Sequence, residues 1–225
     1  MTAAGKDDLV LRVDGRRPLS PADVEAVLSV CDRAEDGYGA GLLTAYVSGA
    51  PTPGWAKDLS VGLLTKWERA VRRLERLGLA TVAVAAGEVG GAALDVLLAT
   101  DVRIAIAGAR LVPPTVAEAT WPGMALYRLG RQGVGGGLRR AALLGTRIEA
   151  EQALAAGLVD VVVDQPDDVL AEIAAGSAAI AGKELAIRRQ LFLDADRTSF
   201  EDALGAHLAA CDRSLRRSVR RAAAS

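Results

Sequence analysis

One acidic residue stands in the most apolar part of the chain. Asp95 lies in the stretch VAVAAGEVGGAALDVLLATDVRIA, residues 82–105, just past Gly90 and Gly91, where a strand pattern changes to a helix pattern. The start of a helix favours an ionised carboxylate, whereas burial among Ala, Leu and Val favours the protonated form. A carboxyl group under both influences is suited to general acid–base catalysis. The alternative is a structural carboxylate that supports the turn.

The glycines before Asp95 offer a second kind of chemistry. A glycine-rich junction between strand and helix lets a ligand or another backbone approach closely, and it exposes the unpaired N–H groups of the helix start. Gly87, Gly90 and Gly91 lack the spacing of a dinucleotide-binding fingerprint, and no phosphate-loop lysine follows them. The junction therefore predicts either backbone donors for a ligand oxygen or a tight packing turn.

The remaining reactive residues and the composition exclude several classes of function. Cys31, Cys211 and His207 are isolated, so we expect no disulfide framework, zinc site or Ser-His-Asp triad. A net charge of −1 argues against nucleic acid or a membrane surface as partner. No apolar run reaches the roughly 18 residues that span a bilayer, and we identify no signal peptide, so we expect a cytoplasmic protein.

Alternating strand and helix patterns surround Asp95. Ser20 and Pro21 are suited to begin a helix, and the amphipathic pattern of residues 61–77 predicts another, with Glu68 and Arg72 paired on its outer side. Other expected elements include strands at about 9–14, 41–49, 79–87 and 101–108, a helix at 91–100, and only helices after Pro166. We predict an α/β core with an open sheet at 1–165 and a helical region at 166–225.

Several ordered motifs resemble the crotonase superfamily of enoyl-CoA hydratases and isomerases. The stretch around Asp95 is similar to the family's A-A-V-N-G-x-x-x-G-G-G-x-E-L-A-L-x-C-D-x-R-I-A. The segments GARLVPPTVAEATWPG, ALLGTRIEAEQALAAGLVDVVV and AYVSGA also resemble family motifs, and the resemblance covers roughly residues 9–210. It implies a crotonase-type spiral of ββα units with a helical C-terminal trimerisation region, in a homotrimer or hexamer. It also implies an acyl-CoA thioester as substrate and no separate cofactor.

The resemblance assigns roles to individual residues. It implies an oxyanion hole made by the backbone N–H groups of Ala50 and Ala92, because donors aimed at a thioester oxygen stabilise an enolate. It assigns CoA binding to Ser48, Gly49 and Gly91, with the adenine near the first two. Alanine is compatible with both oxyanion positions because only the backbone takes part.

The chain departs from the family pattern at the acids. Asp95 stands where the family has its first catalytic glutamate, and Thr115 stands at the second. Pro51 replaces the aspartate of the family's A-G-x-D turn. The Thr115 hydroxyl can orient a water or a substrate oxygen but cannot exchange protons near neutral pH. Glu118 is a candidate for a displaced second carboxylate, although a solvated side chain is the simpler interpretation.

Four features of the chain resemble one branch of the superfamily: its short length, the aspartate in the first acid position, and the segments TWPGMALYRL and KELAIRRQLF. The branch is that of the small crotonase-type protein of 3,5-dihydroxyphenylglycine biosynthesis. This resemblance implies dehydration and aromatisation of a polyketide-derived acyl-CoA to 3,5-dihydroxyphenylacetyl-CoA for antibiotic synthesis. Two alternatives remain: a general enoyl-CoA hydratase or isomerase, and a non-catalytic accessory subunit of a type III polyketide synthase or of a second crotonase-like chain.

Overall fold

The computed structural model describes residues 9–37, 41–116, 119–178, 180 and 184–222. Its strands are β1 (Leu9–Asp14), β2 (Leu42–Gly49), β3 (Ala80–Gly90), β4 (Val102–Ile106), β5 (Arg110–Val112), β6 (Thr115–Val116), β7 (Ala119–Thr120), β8 (Ile148–Glu149) and β9 (Val161–Val163). Its helices are α1 (Pro21–Asp36), α2 (Val61–Leu74), α3 (Ala92–Leu97), α4 (Met124–Gln132), α5 (Gly136–Leu144), α6 (Ala150–Ala155), α7 (Asp167–Ala178), α8 (Glu184–Asp194) and α9 (Phe200–Ala222).

A parallel sheet with the order β1-β2-β3-β4-β9 forms the centre of the fold. Strand β3 is buried on both faces, as expected of a central parallel strand, and its far end also pairs with β5. The register of β2 against β3 shifts at its end, since Ser48 pairs with Ala86 but Gly49 pairs with Val89. This shift carries the chain that follows β2 towards Gly90, where β3 ends.

The helices α1, α2 and α3 pack with one face of the sheet around a common core. Buried members include Val27 on α1, Trp67 and Leu74 on α2, and Leu94 on α3. The Ser60 hydroxyl accepts a hydrogen bond from the Leu63 N–H at 3.1 Å and caps α2. This packing places the inner side of α2 against the first turn of α3.

The alternation predicted from the sequence is confirmed, but two helices end earlier than predicted. Helix α3 stops at Leu97 because the Thr100 hydroxyl turns back to the Leu97 carbonyl at 2.8 Å. Helix α2 stops at Leu74, where the chain turns to enter β3 at Ala80. Neither difference moves Asp95 from its place in the first turn of α3.

The helices after residue 166 contact the core in different ways. Helix α7 covers the second face of the sheet through Val169, Leu170 and Ile173. On α8, Arg189 binds the Asp101 carboxylate at 2.6 Å and the Leu79 carbonyl at 2.9 Å. No helix among the described residues is long and apolar enough to cross a membrane.

Candidate active site

A cavity of about 730 Å³ lies over the first turn of α3, between α2 and α4. This volume is within the range of small-molecule sites. Its apolar wall consists of Leu19, Trp55, Val61, Leu64, Trp67, Pro114, Trp121, Pro122, Met124 and Ala125. Gly91, Ala92 and Asp95 reach it from the α3 side, and Glu68 and Arg128 from the facing helices.

Asp95 is held in this cavity by a tryptophan on the neighbouring helix. The indole N–H of Trp67 donates to Asp95 Oδ2 at 2.8 Å, and the Trp67 side chain is buried in the core. The Asp95 side chain keeps 16 % of its surface exposed. The carboxyl group is therefore fixed in orientation while one side of it faces the cavity.

A buried arginine lies next to Asp95 and binds a second carboxylate. Arg128 Nη2 donates to Glu68 Oε2 at 3.1 Å, whereas Arg128 Nη1 lies 4.0 Å from Asp95 Oδ1, beyond hydrogen-bond distance. The Arg128 side chain is only 5 % exposed, and its Nη1 has no hydrogen-bond partner among the described residues. One guanidinium thus lies between two carboxyl groups and bonds directly to one of them.

The sequence-based pairing of Glu68 with Arg72 was wrong. Glu68 turns towards the cavity and binds Arg128, while Arg72 forms its ion pair with Glu75. The physical reason is burial, because a guanidinium enclosed by α2 and α4 requires a nearby carboxylate. Glu68 shares the helical stripe of Leu64, Trp67 and Val71, so a charged residue in an apolar stripe was the available signal.

Burial dominates the electrostatics of both carboxyl groups. Loss of solvation and, to a smaller extent, the charge of Glu68 raise the pKa of Asp95 to about 7, although the Trp67 hydrogen bond and Arg128 oppose this shift. Burial also raises the pKa of Glu68 above its ordinary value, against the attraction of Arg128. Near neutral pH the Asp95 carboxyl can both accept and donate a proton, which suits an acid–base role.

Backbone donors lie beside Asp95. Gly91 has φ 54°, a conformation that favours glycine, and immediately precedes α3. A Cβ on Gly90 would lie 3.1 Å from the Ala50 Cβ, so the chain after β2 rests directly on this turn. Among the described loops and caps, neither the Ala50 N–H nor the Ala92 N–H donates to a backbone carbonyl. We therefore expect these two N–H groups to bind an oxygen placed there.

The structure brings together some of the predicted site residues but not all. Gly91, Ala92 and Asp95 line the cavity, and Ala50 contacts the glycine turn without lining it. Ser48 and Gly49 lie at the end of β2, outside the lining of the cavity. A Cβ on Gly49 would lie 2.3 Å from Asp14 Oδ1, so a packing role explains this glycine. The CoA contacts of Ser48 and Gly49 remain predictions.

Thr115 lies outside the cavity of Asp95. It lines a neighbouring cavity of about 610 Å³, and its carbonyl accepts the indole N–H of Trp55 at 3.0 Å. Its methyl group packs on Gly145, where a Cβ would lie 2.5 Å from Thr115 Cγ2. The structure thus gives Thr115 packing and backbone contacts rather than a position beside Asp95. Glu118, the other candidate for the second acid, lies outside the described residues.

A flat apolar wall completes the cavity. Trp55 and Trp121 meet edge to face, with ring centroids 5.5 Å apart and planes at 80°, beside Pro114 and Pro122. No local sequence pattern pairs these tryptophans, because they lie far apart in the chain and only the fold joins them. Within the ranges that the structure describes, no group of three or more His, Cys, Asp and Glu side chains is placed to hold a metal ion.

Comparisons with known proteins agree with this architecture. Residues 57–221 match the family model described as enoyl-CoA hydratase/isomerase. An Amycolatopsis orientalis protein named enoyl-CoA-hydratase is 58% identical over 210 residues, which are 93% of this chain and 97% of that protein.

Solved structures show the same fold. An enoyl-CoA hydratase of Mycobacterium smegmatis superposes with a TM-score of 0.78 at 17% identity, over 93% of this chain and 88% of that one. Pseudomonas aeruginosa PA4980 superposes with a TM-score of 0.74 at 26% identity, over 88% and 92%. Since the family model spans most of the sequence and the Amycolatopsis relative matches nearly all of it, the chain belongs to the enoyl-CoA hydratase/isomerase family.

Proposed function

We propose that this chain dehydrates and aromatises a polyketide-derived acyl-CoA to 3,5-dihydroxyphenylacetyl-CoA, a step in the synthesis of the antibiotic precursor dihydroxyphenylglycine. The observation that carries the proposal is the pairing of Asp95 with available backbone donors. A carboxyl with a pKa of about 7 lies in the same cavity wall as Ala92, next to the glycine turn that Ala50 contacts.

The proposed chemistry needs two contributions from the chain. The N–H groups of Ala50 and Ala92 hold the thioester oxygen and stabilise the enolate that forms when the α-carbon loses its proton. Asp95 exchanges a proton with the departing hydroxyl or the α-carbon. Aromatisation makes the loss of water downhill, so a site with fewer strong acids than a typical hydratase is sufficient.

The wall of the cavity supports a cyclic acyl group. Trp55, Trp121, Pro114 and Pro122 present flat apolar surfaces. Aromatic and proline faces pack well against a planar ring. Addition and removal of water are the two directions of one reaction, so the hydratase name of the Amycolatopsis relative agrees with a dehydratase.

Assembly is part of the proposal. The apolar residues Leu204, Leu208, Leu215 and Val219 form an exposed stripe along α9. We propose that this stripe drives a homotrimer or hexamer, with association to a type III polyketide synthase or a second crotonase-like chain, in the cytoplasm. Light scattering at micromolar concentration should give a trimer or hexamer, and a monomer alone would contradict this assembly.

Two other functions have specific support. The absence of a carboxylate at Thr115 favours a non-catalytic accessory subunit. The name of the Amycolatopsis relative, enoyl-CoA-hydratase, favours a general enoyl-CoA hydratase. An accessory subunit does not explain why a carboxyl with a raised pKa is fixed in the cavity by Trp67.

The test is product analysis. A type III polyketide synthase is supplied with malonyl-CoA, with and without this protein, and the thioester products are separated by chromatography and identified by mass. The proposal expects 3,5-dihydroxyphenylacetyl-CoA to increase when the protein is added. Hydration of crotonyl-CoA with no effect on the synthase products would support the general hydratase instead.

A further inference from the structure

We infer that Glu68 is the second acid–base group of this site, facing the same cavity as Asp95 and joined to it through the Arg128 guanidinium. The inference rests on the proposed function, because both carboxyl groups act on a thioester held in that cavity. It supplies the second carboxyl group from α2 rather than from the position of Thr115.

The geometry places the two carboxyl groups on opposite sides of one guanidinium. Arg128 Nη2 bonds to Glu68 Oε2 at 3.1 Å, and Arg128 Nη1 lies 4.0 Å from Asp95 Oδ1. Both carboxyl groups line the cavity, and the Glu68 side chain keeps 25 % of its surface exposed. A substrate in the cavity can therefore contact both.

The charges of this cluster give the two carboxyl groups different roles in proton transfer. Arg128 neutralises one negative charge, and its direct bond favours the ionised form of Glu68, against the burial that raises the pKa of this carboxyl. Asp95 lacks such a bond to the guanidinium, and both its burial and the Glu68 charge favour its protonated form. The other charged groups near Glu68 are Arg72 and Glu75, which bind each other, and Arg69 on the cavity wall. One carboxylate and one carboxylic acid are the arrangement that elimination of water requires.

The reaction then follows in two proton transfers. The Glu68 carboxylate takes the α-proton, and the electrons of the broken C–H bond form the enolate held by Ala50 and Ala92. The enolate electrons form the Cα=Cβ bond as the Cβ–O bond breaks, and Asp95 protonates the leaving oxygen to give water. Transfer of one proton from Glu68 to Asp95 through solvent restores the starting state, so atoms and charges balance.

A neighbouring residue shows what a purely structural carboxylate looks like here. Glu75 lies just past the end of α2, is buried and is paired with Arg72, but it does not line the cavity of Asp95. Glu68 differs because it reaches that cavity and shares its arginine with Asp95. Glu75→Gln is therefore the matched control for Glu68→Gln.

The test separates the two proton transfers. Phenylacetyl-CoA has an α-proton but no leaving hydroxyl, so its deuterium uptake in D₂O, followed by mass spectrometry, reports the first transfer alone. We expect Glu68→Gln to lower this exchange about 10²-fold. Glu75→Gln should keep it within about threefold, whereas Asp95→Asn should lower dehydration of the polyketide substrate.

Each other outcome decides against a defined part of the account. Exchange at the wild-type rate in Glu68→Gln, or loss of exchange in Asp95→Asn alone, overturns the role of Glu68 and leaves the proposed function intact. A wild-type protein that neither exchanges the α-proton nor alters the synthase products overturns the proposed function itself. If Glu68→Gln does not fold, Glu68→Asp keeps the charge but withdraws it by one methylene, and a folded Glu68→Asp with full exchange overturns the inference.

Discussion

The two cavities that share Trp55 and Pro114 differ sharply in chemistry. The cavity of Asp95 contains two carboxyl groups around one buried guanidinium, whereas the cavity of Thr115 is lined by Pro51, Pro53, Pro113 and small residues, and among its described residues only Lys57 is charged. In the family pattern that this sequence resembles, acids come from both positions. Here the charged side chains of the first cavity come from α2, α3 and α4, and Thr115 at the second position is used for packing.

The position of a residue in the family motif therefore does not determine which side chains it contacts in the folded chain. Thr115 packs its methyl group on Gly145 and gives its carbonyl to Trp55. Glu68 lies far from the family's acid positions in the chain, but on α2 it binds Arg128, whose guanidinium lies 4.0 Å from the Asp95 carboxyl.

Removal of an oxyanion donor should have the largest effect. Ala92→Pro deletes the N–H at the first position of α3, where proline is otherwise tolerated in a helix. We expect kcat for dehydration to fall about 10²–10³-fold. Ala92→Ser keeps the N–H and is the control. A folded Ala92→Pro protein with full activity would contradict the oxyanion hole.

Removal of Arg128 should destabilise the cavity of Asp95. Arg128→Met leaves two carboxyl groups buried without their cation, and we expect the free energy of unfolding at pH 8 to fall by about 3 kcal/mol. At pH 5 the loss should be smaller, because the raised pKa values allow the carboxyls to be protonated. Denaturant titration at both pH values measures this. Arg139→Met on the surface of α5 is the control. An equal loss of stability at both pH values would contradict the conclusion that Arg128 compensates the charge of these carboxyl groups.

Asp95→Asn should stabilise the protein at alkaline pH. The pKa of Asp95 in the folded protein, about 7, lies above its ordinary value of 3.8, so folding takes up a proton between these pH values. The wild-type protein therefore loses stability as pH rises from about 4 to 7, whereas the asparagine variant lacks this loss. We expect Asp95→Asn to gain about 4 kcal/mol over wild type between pH 4 and pH 8. A stability difference that is constant across this range would show that the Asp95 pKa is not raised.

Thr115→Ala should have the smallest effect. The Thr115 side chain is exposed and lies outside the cavity of Asp95, so we expect kcat to change by less than about twofold. Steady-state dehydration assays beside wild type measure the change. A decrease in kcat of more than about tenfold would show that Thr115 belongs to the active site, and it would contradict the difference between the two cavities.

The sequence predicted the order of the main elements and the part of the site formed by Gly91, Ala92 and Asp95. Local patterns were sufficient for this part, since Ser20 and Pro21 mark the start of α1 and the glycines before Asp95 mark the start of α3. The position of Asp95 in an apolar helix predicted its burial, and in the structure this burial is the largest cause of its raised pKa.

The rest of the site depends on contacts between distant segments. Glu68 and Arg128 are 60 residues apart, and no local pattern pairs them. Helix spacing favoured Arg72 as the partner of Glu68, but the packing of α2 against α4 favoured the buried guanidinium. The tryptophan pair of Trp55 and Trp121 likewise forms only when two loops meet at the cavity.

The most direct test of the central claim is product formation by Asp95→Asn. The type III polyketide synthase is supplied with malonyl-CoA together with wild type or the variant, and 3,5-dihydroxyphenylacetyl-CoA is quantified by mass spectrometry while the folding of both proteins is verified by circular dichroism. The account predicts that the folded variant lowers product formation about 10²-fold, because the proton for the departing hydroxyl is missing. Equal product from wild type and a folded Asp95→Asn protein would contradict catalysis by Asp95 and support an accessory subunit.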